Sequence, residues 1–306
     1  MSQVGDSTGR TVAVRRRAGM GDVLLGTTAA WRFALATGRT LRLDWRHSRY
    51  TTDPSTNLFT EVFEPIERWG GVPVWLPTAG DALDEYLPLS AADEQASGFH
   101  ACELVENGRD IPDDHVVLRG CVAPAHPGRK VMGGLLRELQ LQPHLAAAVE
   151  TARGQLLGDG SSIGVHIRHG NGGDIMAHTA HWRDGLAVHR VVQAIRRARD
   201  VLGPEVPVLL ATDAVEIRDA LCAMVPGVRT IEKRFRPQGA GELHRWADAP
   251  STLADAVVEM WLLAHTTVLV RMPPRSYFSA PAAFIKPPAP QDLLLRGPKA
   301  LQPALW

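Results

Sequence analysis

The sequence predicts an α/β protein with two Rossmann-like domains and a cleft between them. Two stretches of the chain alternate short β-branched runs with helical segments, which is typical of parallel sheets covered by helices. A cluster of glycine, aspartate and serine at residues 158–162 separates the two stretches. The chain has 306 residues, and single cores stop growing at roughly 250–300 residues. We therefore expect one domain over residues 1–158 and a second over residues 159–306.

The first domain begins with a strand, a glycine turn, a helix and a second strand. Residues 11–14 are rich in β-branched side chains, and residues 23–37 have helical periodicity with Gly38 placed as a C-cap. Residues 40–44 then alternate like a strand. The turn contains Gly19 and Gly21, which allow close approach of the backbone to a ligand, although a plain turn is the alternative.

The rest of the first domain is less regular. Residues 45–111 predict loops, short strands and a few short helices, and residues 115–119 predict a strand. Residues 135–156 are mostly helical, with a break at Pro143 that starts a new helix.

The second domain has a clearer alternation of strands and helices. Strands are predicted at residues 163–168, 208–213, 228–231 and 268–271, and helices at residues 188–202, 215–224 and 253–264. The last twenty residues are rich in proline and leucine, and we expect them to wrap the surface.

Composition excludes several classes of protein. Thirty-three basic residues balance thirty-three acidic ones, which argues against a nucleic-acid binder and against a membrane surface as partner. No apolar run approaches the roughly 20 residues that span a bilayer. The three cysteines are widely spaced, so they predict neither a disulfide framework nor a thiolate zinc site. We expect a cytoplasmic protein.

The densest cluster of chemical groups follows the first strand of the second domain. His166 and Arg168 share one side of that strand, and His169 leads into a glycine loop that ends at Asp174. Arg168 is placed to bind phosphate oxygens, and the loop's N–H groups could form an anion-binding nest. Asp174 is the nearest carboxylate that could serve as a general base. The alternatives are a glycine turn with solvated charges, or a metal site at these histidines, for which no ligand motif is present.

Other candidates lie at strand ends and on one apolar helix. Asp213 ends a strand on the same side, and it is either a ligand-binding carboxylate or the N-cap of the next helix. Glu259 interrupts an apolar helix, so it either has a partner or ligand or faces solvent. Trp45 and Arg46 could offer a sugar an aromatic face and a cation, although a core tryptophan is the usual alternative. Arg275 follows the last strand, where the cleft should lie.

Several segments together carry a resemblance to a known family. They are residues 17–22, 29–34, 37–40, 44–46, 63–65, 164–172, 212–213, 237–238, 259–264 and 271–274. The most specific is the run from His166 to Gly172 (His-Ile-Arg-His-Gly-Asn-Gly). The chain resembles the bacterial nodulation fucosyltransferases of the NodZ type, which are related to the eukaryotic α-1,6-fucosyltransferases.

The resemblance implies a GT-B-like fold and an inverting, metal-independent transferase without a cofactor. The implied donor is GDP-β-L-fucose, and the implied acceptor is the reducing-end GlcNAc of a chito-oligosaccharide. By the same resemblance Arg168 would hold the pyrophosphate and Glu259 would read guanine. Our own expectation is a GlcNAc-containing oligosaccharide or a glycosylated metabolite as acceptor, with Asp174 or another carboxylate as the base, because the catalytic carboxylate of the eukaryotic enzymes has no match here. The remaining donor-binding residues implied by the family are Gly19, Gly21, His166, His169, Asp213 and Ser276.

The chain departs from the eukaryotic relatives at two positions. His169 stands where they carry a second arginine, and Glu259 is one methylene longer than the acidic residue of the family. Two alternatives stay open from the sequence: transfer from another nucleotide sugar, and a catalytically inactive nucleotide-sugar-binding protein. The sequence predicts no oligomeric state.

Overall fold

The structure is a computed structural model, and the chain divides into two compact units, Met1–Gln142 and Pro143–Trp306. It describes residues 9–15, 18–46, 50, 53, 55–81, 91–119, 127–169, 186–235, 252–272, 276–286, 293–296 and 300–303. Helix α5 (Pro143–Leu156) belongs to the second unit, where it packs against α8 (Thr252–Ala264). The sequence-based boundary at residues 158–162 lies one helix further along the chain.

The described part of the first unit is an α/β sheet with strand order β3-β4-β2-β1-β5. Strands β2, β1 and β5 are parallel, β4 is parallel to β2, and only the short β3 is antiparallel to its neighbour within this described sheet. The strands are β1 (Thr11–Arg15), β2 (Thr40–Arg42), β3 (Arg68–Trp69), β4 (Val72–Trp75) and β5 (His115–Arg119); the helices are α1 (Met20–Thr37), α2 (Leu58–Val62), α3 (Ala91–Asn107) and α4 (Arg129–Glu138).

Helix α1 connects the two central strands of this sheet. It ends at Gly38, which has a left-handed φ of 66° and donates its N–H to the Ala34 carbonyl. This is the C-cap that the sequence predicts, because glycine adopts left-handed φ without steric cost. The helix begins at Met20, three residues before the predicted start, so Gly21 lies in its first turn.

Helix α3 was not expected from the sequence. It covers 17 residues within a stretch predicted to be loops and short elements. The polar, acidic sequence of its first residues is typical of a solvent-exposed loop and is equally compatible with a helix. Composition alone did not separate these two cases.

The described part of the second unit is a sheet with strand order β11-β10-β9-β6-β7-β8. Strands β8, β7, β6, β9 and β10 are parallel, and β11 is antiparallel to β10. The strands are β6 (Ile163–Ile167), β7 (Val208–Thr212), β8 (Val228–Arg229), β9 (Val268–Met272), β10 (Leu293–Arg296) and β11 (Ala300–Pro303); the remaining helices are α6 (Leu186–Leu202), α7 (Val215–Met224) and α9 (Ala280–Ile285).

The C-terminal segment corrects one expectation. Residues 293–296 and 300–303 do not simply wrap the surface but extend the sheet beyond β9 as β10 and β11. The prolines that suggested an irregular tail flank these strands, and Pro303 lies at the end of the outer strand, where a missing N–H costs least.

The core of the second unit lies on both faces of β6. All five residues of β6 are buried, as expected for a central parallel strand. Gly164 makes room for the last turn of α8 and for the turn that follows it, since a Cβ there would lie 3.2 Å from Leu263 Cδ2 and 2.5 Å from Thr266 Oγ1. The close approach of α8 to the sheet therefore depends on a glycine at this position.

None of the helices in the described residues is long and apolar enough to cross a membrane.

Candidate functional site

The strand order of the second unit creates a topological switch point between β6 and β9. The chain leaves β6 toward β7 on one side, and the later strands are added on the side of β9. In open α/β sheets ligands bind outside the carboxyl ends of the strands at such a point. The polar residues at the ends of β6, β7 and β9 are therefore the candidate site.

Arg168 and Asp213 form the centre of this strand-end cluster. Arg168 follows β6, and its Nη1 lies 3.2 Å from Asp213 Oδ2. The Arg168 N–H donates to the Met272 carbonyl at 2.8 Å, which fixes the residue against β9. The guanidinium side chain is 22% exposed, against 7% for the carboxylate. Arg168 is thus both anchored and accessible, as a cation that grips a ligand must be.

Asp213 also fixes the start of the glycine loop. Its Oδ1 accepts a hydrogen bond from the His169 backbone N–H at 2.7 Å. Asp213 does not cap α7, because Ala214 is the N-cap residue of that helix. Of the two sequence interpretations the N-cap is therefore wrong. The His169 ring lies near the start of α7, with its Nδ1 3.7 Å from Glu216 Oε1.

His166 is a neutral histidine inside a cationic environment. Burial lowers its pKa well below the usual value, and the charges of Arg168, Arg271 and Lys233 lower it further. The ring packs against Phe278 with a centroid distance of 5.1 Å. Among the described residues, nothing hydrogen-bonds to its buried Nδ1. An uncharged ring with a spare polar atom is well suited to the edge of a ligand pocket.

Arg271 belongs to the candidate site, although the sequence analysis did not single it out. It lies on β9 directly opposite His166 and is buried. Its Nε donates to Ser279 Oγ at 3.0 Å, and its Nη2 donates to the Ser276 carbonyl at 3.1 Å. Arg271 therefore fixes the segment that holds Ser276, which is itself buried. An arginine within an otherwise apolar strand was the signal that could have found it.

Glu259 has a buried cationic partner. Its Oε1 accepts a hydrogen bond from Lys233 Nζ at 2.6 Å, and the two side chains are 6% and 4% exposed. Burial raises the pKa of Glu259, Lys233 acts against that rise, and Asp255 and Asp213 add to it. The expectation that this carboxylate has a partner is met, and it does not face solvent. Lys233 itself was not identified from the sequence, because its segment has no recognisable motif.

The glycine turn of the first unit lies at the N-terminus of α1. Gly19 is the N-cap residue, with φ −66° and ψ 161°, which any residue can adopt. Gly21 is buried in the first turn of the helix. The Met20 N–H donates to the Tyr50 hydroxyl at 3.2 Å. The N-terminal end of an 18-residue helix favours anions through the helix dipole, and the donor-binding role of both glycines stays a prediction.

Trp45 and Arg46 are packed inside the first unit. Trp45 is 5% exposed, meets Phe59 edge to face at 5.3 Å and donates its indole N–H to Thr27 Oγ1. Arg46 is 2% exposed, and its guanidinium is bound by Asp44 and by the carbonyls of Thr78 and Asp81. This is the packing of a core tryptophan and a structural arginine. The acceptor-binding role of the two residues stays a prediction that this packing does not support.

Asp44 forms ion pairs with three buried arginines of the first unit. Arg15, Arg42 and Arg46 each place Nη2 within 3.0 Å of its Oδ2. Burial opposes ionisation of Asp44, but the hydrogen bond from Arg46 and the three positive charges outweigh it and lower its pKa. The cluster lies where β1 and β2 end, so it fixes the loops at the carboxyl edge of this sheet.

Two predicted site residues lie outside the described residues. They are Asp174, the candidate base, and Arg275. Within the described part of the chain, no group of three or more histidine, cysteine, aspartate or glutamate side chains is arranged to hold a metal ion.

The fold is GT-B-like, and its Rossmann-like second unit carries a cluster of charged side chains at the carboxyl edge of the sheet. The family model "Nodulation protein Z (NodZ)" matches residues 8–85 and 101–293. The chain is 33% identical to Nodulation protein Z of Bradyrhizobium diazoefficiens, over 92% of this chain and 81% of that protein. The chain therefore belongs to the NodZ family, as its resemblance predicted.

Solved structures of the family share the fold. The fucosyltransferase NodZ from Bradyrhizobium has a TM-score of 0.75 to this chain, with 27% identity over 92% of this chain and 94% of that one. A NodZ α-1,6-fucosyltransferase soaked with GDP-fucose has a TM-score of 0.74, with the same identity and the same coverage of both chains. The predicted fold class is confirmed, and so is the prediction that the chain is a fucosyltransferase.

Proposed function

We propose that the enzyme transfers L-fucose from GDP-β-L-fucose to a hydroxyl group of a GlcNAc-containing oligosaccharide or a glycosylated small metabolite. The observation that carries the donor assignment is the strand-end cluster at the switch point of the second unit. Arg168 is held in place by Asp213 and β9 yet remains accessible. The relative soaked with GDP-fucose supports the same donor for this chain.

In this mechanism Arg168 binds the pyrophosphate and neutralises the charge that develops as GDP leaves. A preorganised cation of this kind is worth most in the transition state, when negative charge accumulates on the leaving group. Asp213 keeps the guanidinium oriented and holds the start of the glycine loop through the His169 N–H. His166 stays neutral at physiological pH because its pKa is lowered, so it adds no charge to the site.

We infer an inverting single displacement. The acceptor hydroxyl attacks the anomeric carbon from the face opposite the GDP leaving group, and its proton passes to a carboxylate base, for which Asp174 is the candidate. The β-linked donor then gives an α-linked product. Arginine side chains supply the positive charge that the leaving diphosphate needs, which supports a reaction without a divalent metal or another cofactor.

Donor selectivity is tested by nucleotide binding. Thermal unfolding with GDP, UDP, TDP and ADP should raise Tm far more for GDP than for the other three. Equal shifts with all four nucleotides contradict the guanine assignment. The alternative is an inactive binding protein. It would bind GDP strongly but release no GDP from GDP-fucose with any acceptor in a panel of chito-oligosaccharides and glycosylated metabolites.

The reaction course is tested on the product. In the proton NMR spectrum of the product, the anomeric proton of the new linkage should have the small coupling constant of an α-L-fucoside. Turnover should be unchanged after treatment with EDTA. A β-linked product contradicts inversion, and loss of activity that added Mg²⁺ or Mn²⁺ restores contradicts metal independence.

A cytoplasmic location is part of the same proposal. The described cysteines Cys102 and Cys222 are free thiols, which fits a reducing compartment. Fractionation of cells that express the untagged chain tests it, and recovery from an oxidising compartment contradicts it.

A further inference from the structure

The ammonium group of Lys233 is buried, and none of the roles assigned so far accounts for it. It follows β8 in the segment that leads away from the strand, and its Nζ donates to Glu259 Oε1 at 2.6 Å. Its side chain is 4% exposed. An ammonium group carries three N–H donors. Among the described residues, Glu259 accepts the one hydrogen bond that this group donates.

A buried ion pair of this kind is a poor device for stability alone. Removing both charges from water costs several kcal/mol per ion, and the attraction between them often fails to offset that cost. The nearby ring of Phe235 lies 5.3 Å from Lys233 Nζ and also contacts Arg218 at 5.0 Å. Lys233 is thus held by the Glu259 carboxylate and the Phe235 ring, and two of its three N–H donors have no hydrogen-bond acceptor among the described residues.

The pair belongs electrostatically to the strand-end cluster. The charge of Lys233 contributes to the lowered pKa of His166 on β6, and Asp213 at the end of β7 contributes to the raised pKa of Glu259. Helix α8, which carries Glu259, packs against β6 and β7, and Lys233 follows β8, which pairs with β7. The ammonium and the carboxylate therefore stand side by side next to the edge where the diphosphate is proposed to bind.

We propose that Lys233 is a specificity-determining residue that donates a hydrogen bond to O6 of guanine while Glu259 accepts from N1–H and the exocyclic amine. This rests on the proposed GDP donor and adds to it a residue that the family resemblance does not supply. The Watson–Crick edge of guanine offers one acceptor beside two donors, and the Lys233–Glu259 pair offers one donor beside acceptors. Adenine offers an amino donor in place of O6 and an acceptor at N1, so both contacts turn repulsive.

The experiment compares GDP with 6-thio-GDP, whose sulfur is a much weaker acceptor at the O6 position but whose N1–H and amine are retained. Dissociation constants are measured by calorimetry for the wild type, for Lys233→Met and for a control variant, Lys286→Met. Lys286 is a buried lysine of the same unit whose Nζ donates to the Thr267 carbonyl. ADP is included for all three proteins.

We expect the wild type to bind 6-thio-GDP about tenfold or more weakly than GDP, since hydrogen bonds to charged groups carry that much affinity. Lys233→Met should weaken GDP binding by a similar factor and bring the ratio of the two nucleotides close to one. Lys286→Met should keep the wild-type ratio. If Lys233→Met weakens both nucleotides equally and the ratio persists, Lys233 only positions Glu259 and the proposal is overturned.

Two further outcomes separate this proposal from the proposed function. If the wild type binds GDP and ADP equally well, the guanine donor itself is wrong. If the wild type prefers GDP to ADP but binds GDP and 6-thio-GDP equally, the donor stands and the O6 contact of Lys233 is refuted. Both measurements use the wild type alone, so the proposal remains testable even if Lys233→Met does not fold.

Discussion

At the scale of single residues, the site depends on cations whose partners fix their direction. Arg168 is bound to Asp213 on one side and to β9 through its backbone, while its guanidinium keeps access to solvent. Arg271 is fully buried and orders the segment at Ser276. The neutral overall charge of the chain is therefore compatible with the proposed diphosphate site, because local charge decides anion binding more than net charge does.

Replacing Arg168 by alanine should lower kcat about 100- to 1,000-fold, the usual cost of removing one preorganised transition-state contact. Tm should change little, since the side chain is partly exposed. Steady-state GDP release from GDP-fucose with acceptor measures the effect. The control is Arg196→Ala on the exposed face of α6, which should keep wild-type turnover. Full turnover in Arg168→Ala would rule out the role assigned to this residue.

GDP affinity should fall as the pH is lowered, because Glu259 must be ionised to accept hydrogen bonds from guanine. Burial raises its pKa above the ordinary value of 4.5, so protonation begins at a higher pH than for an exposed glutamate. Lys233 opposes this rise, whereas Asp255 and Asp213 strengthen it. Calorimetry across the acidic range should find this loss in the wild type and not in Glu259→Gln. A pH profile shared by both proteins assigns the titration to another group.

Asp44→Asn should destabilise the first unit by about 3–5 kcal/mol, because it leaves three buried arginines without their shared counter-ion. Since the pKa of Asp44 is lowered, its contribution is complete above the ordinary value of 3.8 and is lost as the pH falls further. Urea unfolding measures the change. The exposed Asp219→Asn is the control, and it should stay within about 0.5 kcal/mol of wild type. Equal stabilities of the two variants refute the counter-ion role.

At the scale of elements, the sequence predicts the strands and helices of the second unit well, because the central strands of its sheet are buried on both faces. Strand β6 is apolar apart from His166, and the pattern of α7 matches its observed limits. Helix α3 and the terminal strands β10 and β11 were missed, since their polar or proline-flanked sequences carry no clear period. Strand β10 forms because it pairs with β9, and the local sequence cannot encode such a long-range contact.

Gly164→Ala should separate α8 from β6 and cost about 1–3 kcal/mol, the usual penalty for overpacking. The added Cβ would lie 2.5 Å from Thr266 Oγ1. Because α8 carries Glu259, GDP binding should weaken together with Tm. Gly154→Ala on α5 is the matched control, since nothing lies within 4 Å of its Cβ position and alanine favours the helix. Unchanged stability in Gly164→Ala contradicts the close packing of α8.

At the scale of the whole molecule, the sequence predicts the two α/β sheets and the edge of the candidate site for different reasons. Strand–helix alternation predicts the two sheets, and the polar residues after β6 and β7 predict a ligand site at the carboxyl edge of the second sheet, which stays a prediction. The pairing of Asp44 with Arg15 and of Lys233 with Glu259 could not be predicted, because these residues are far apart in the chain and meet only after folding. The acceptor side is the least predictable, since Trp45 and Arg46 proved to be core residues.

Acceptor-dependent transfer tests the central claim most directly. Purified enzyme is incubated with GDP-β-L-fucose and chito-oligosaccharides or glycosylated metabolites, and mass spectrometry follows the products. The account predicts one acceptor that gains a single deoxyhexose with equimolar GDP release, and a rate of product formation about 100- to 1,000-fold lower with Arg168→Ala. A product formed equally well from another nucleotide sugar, or GDP-fucose consumption that is independent of every acceptor, would contradict it.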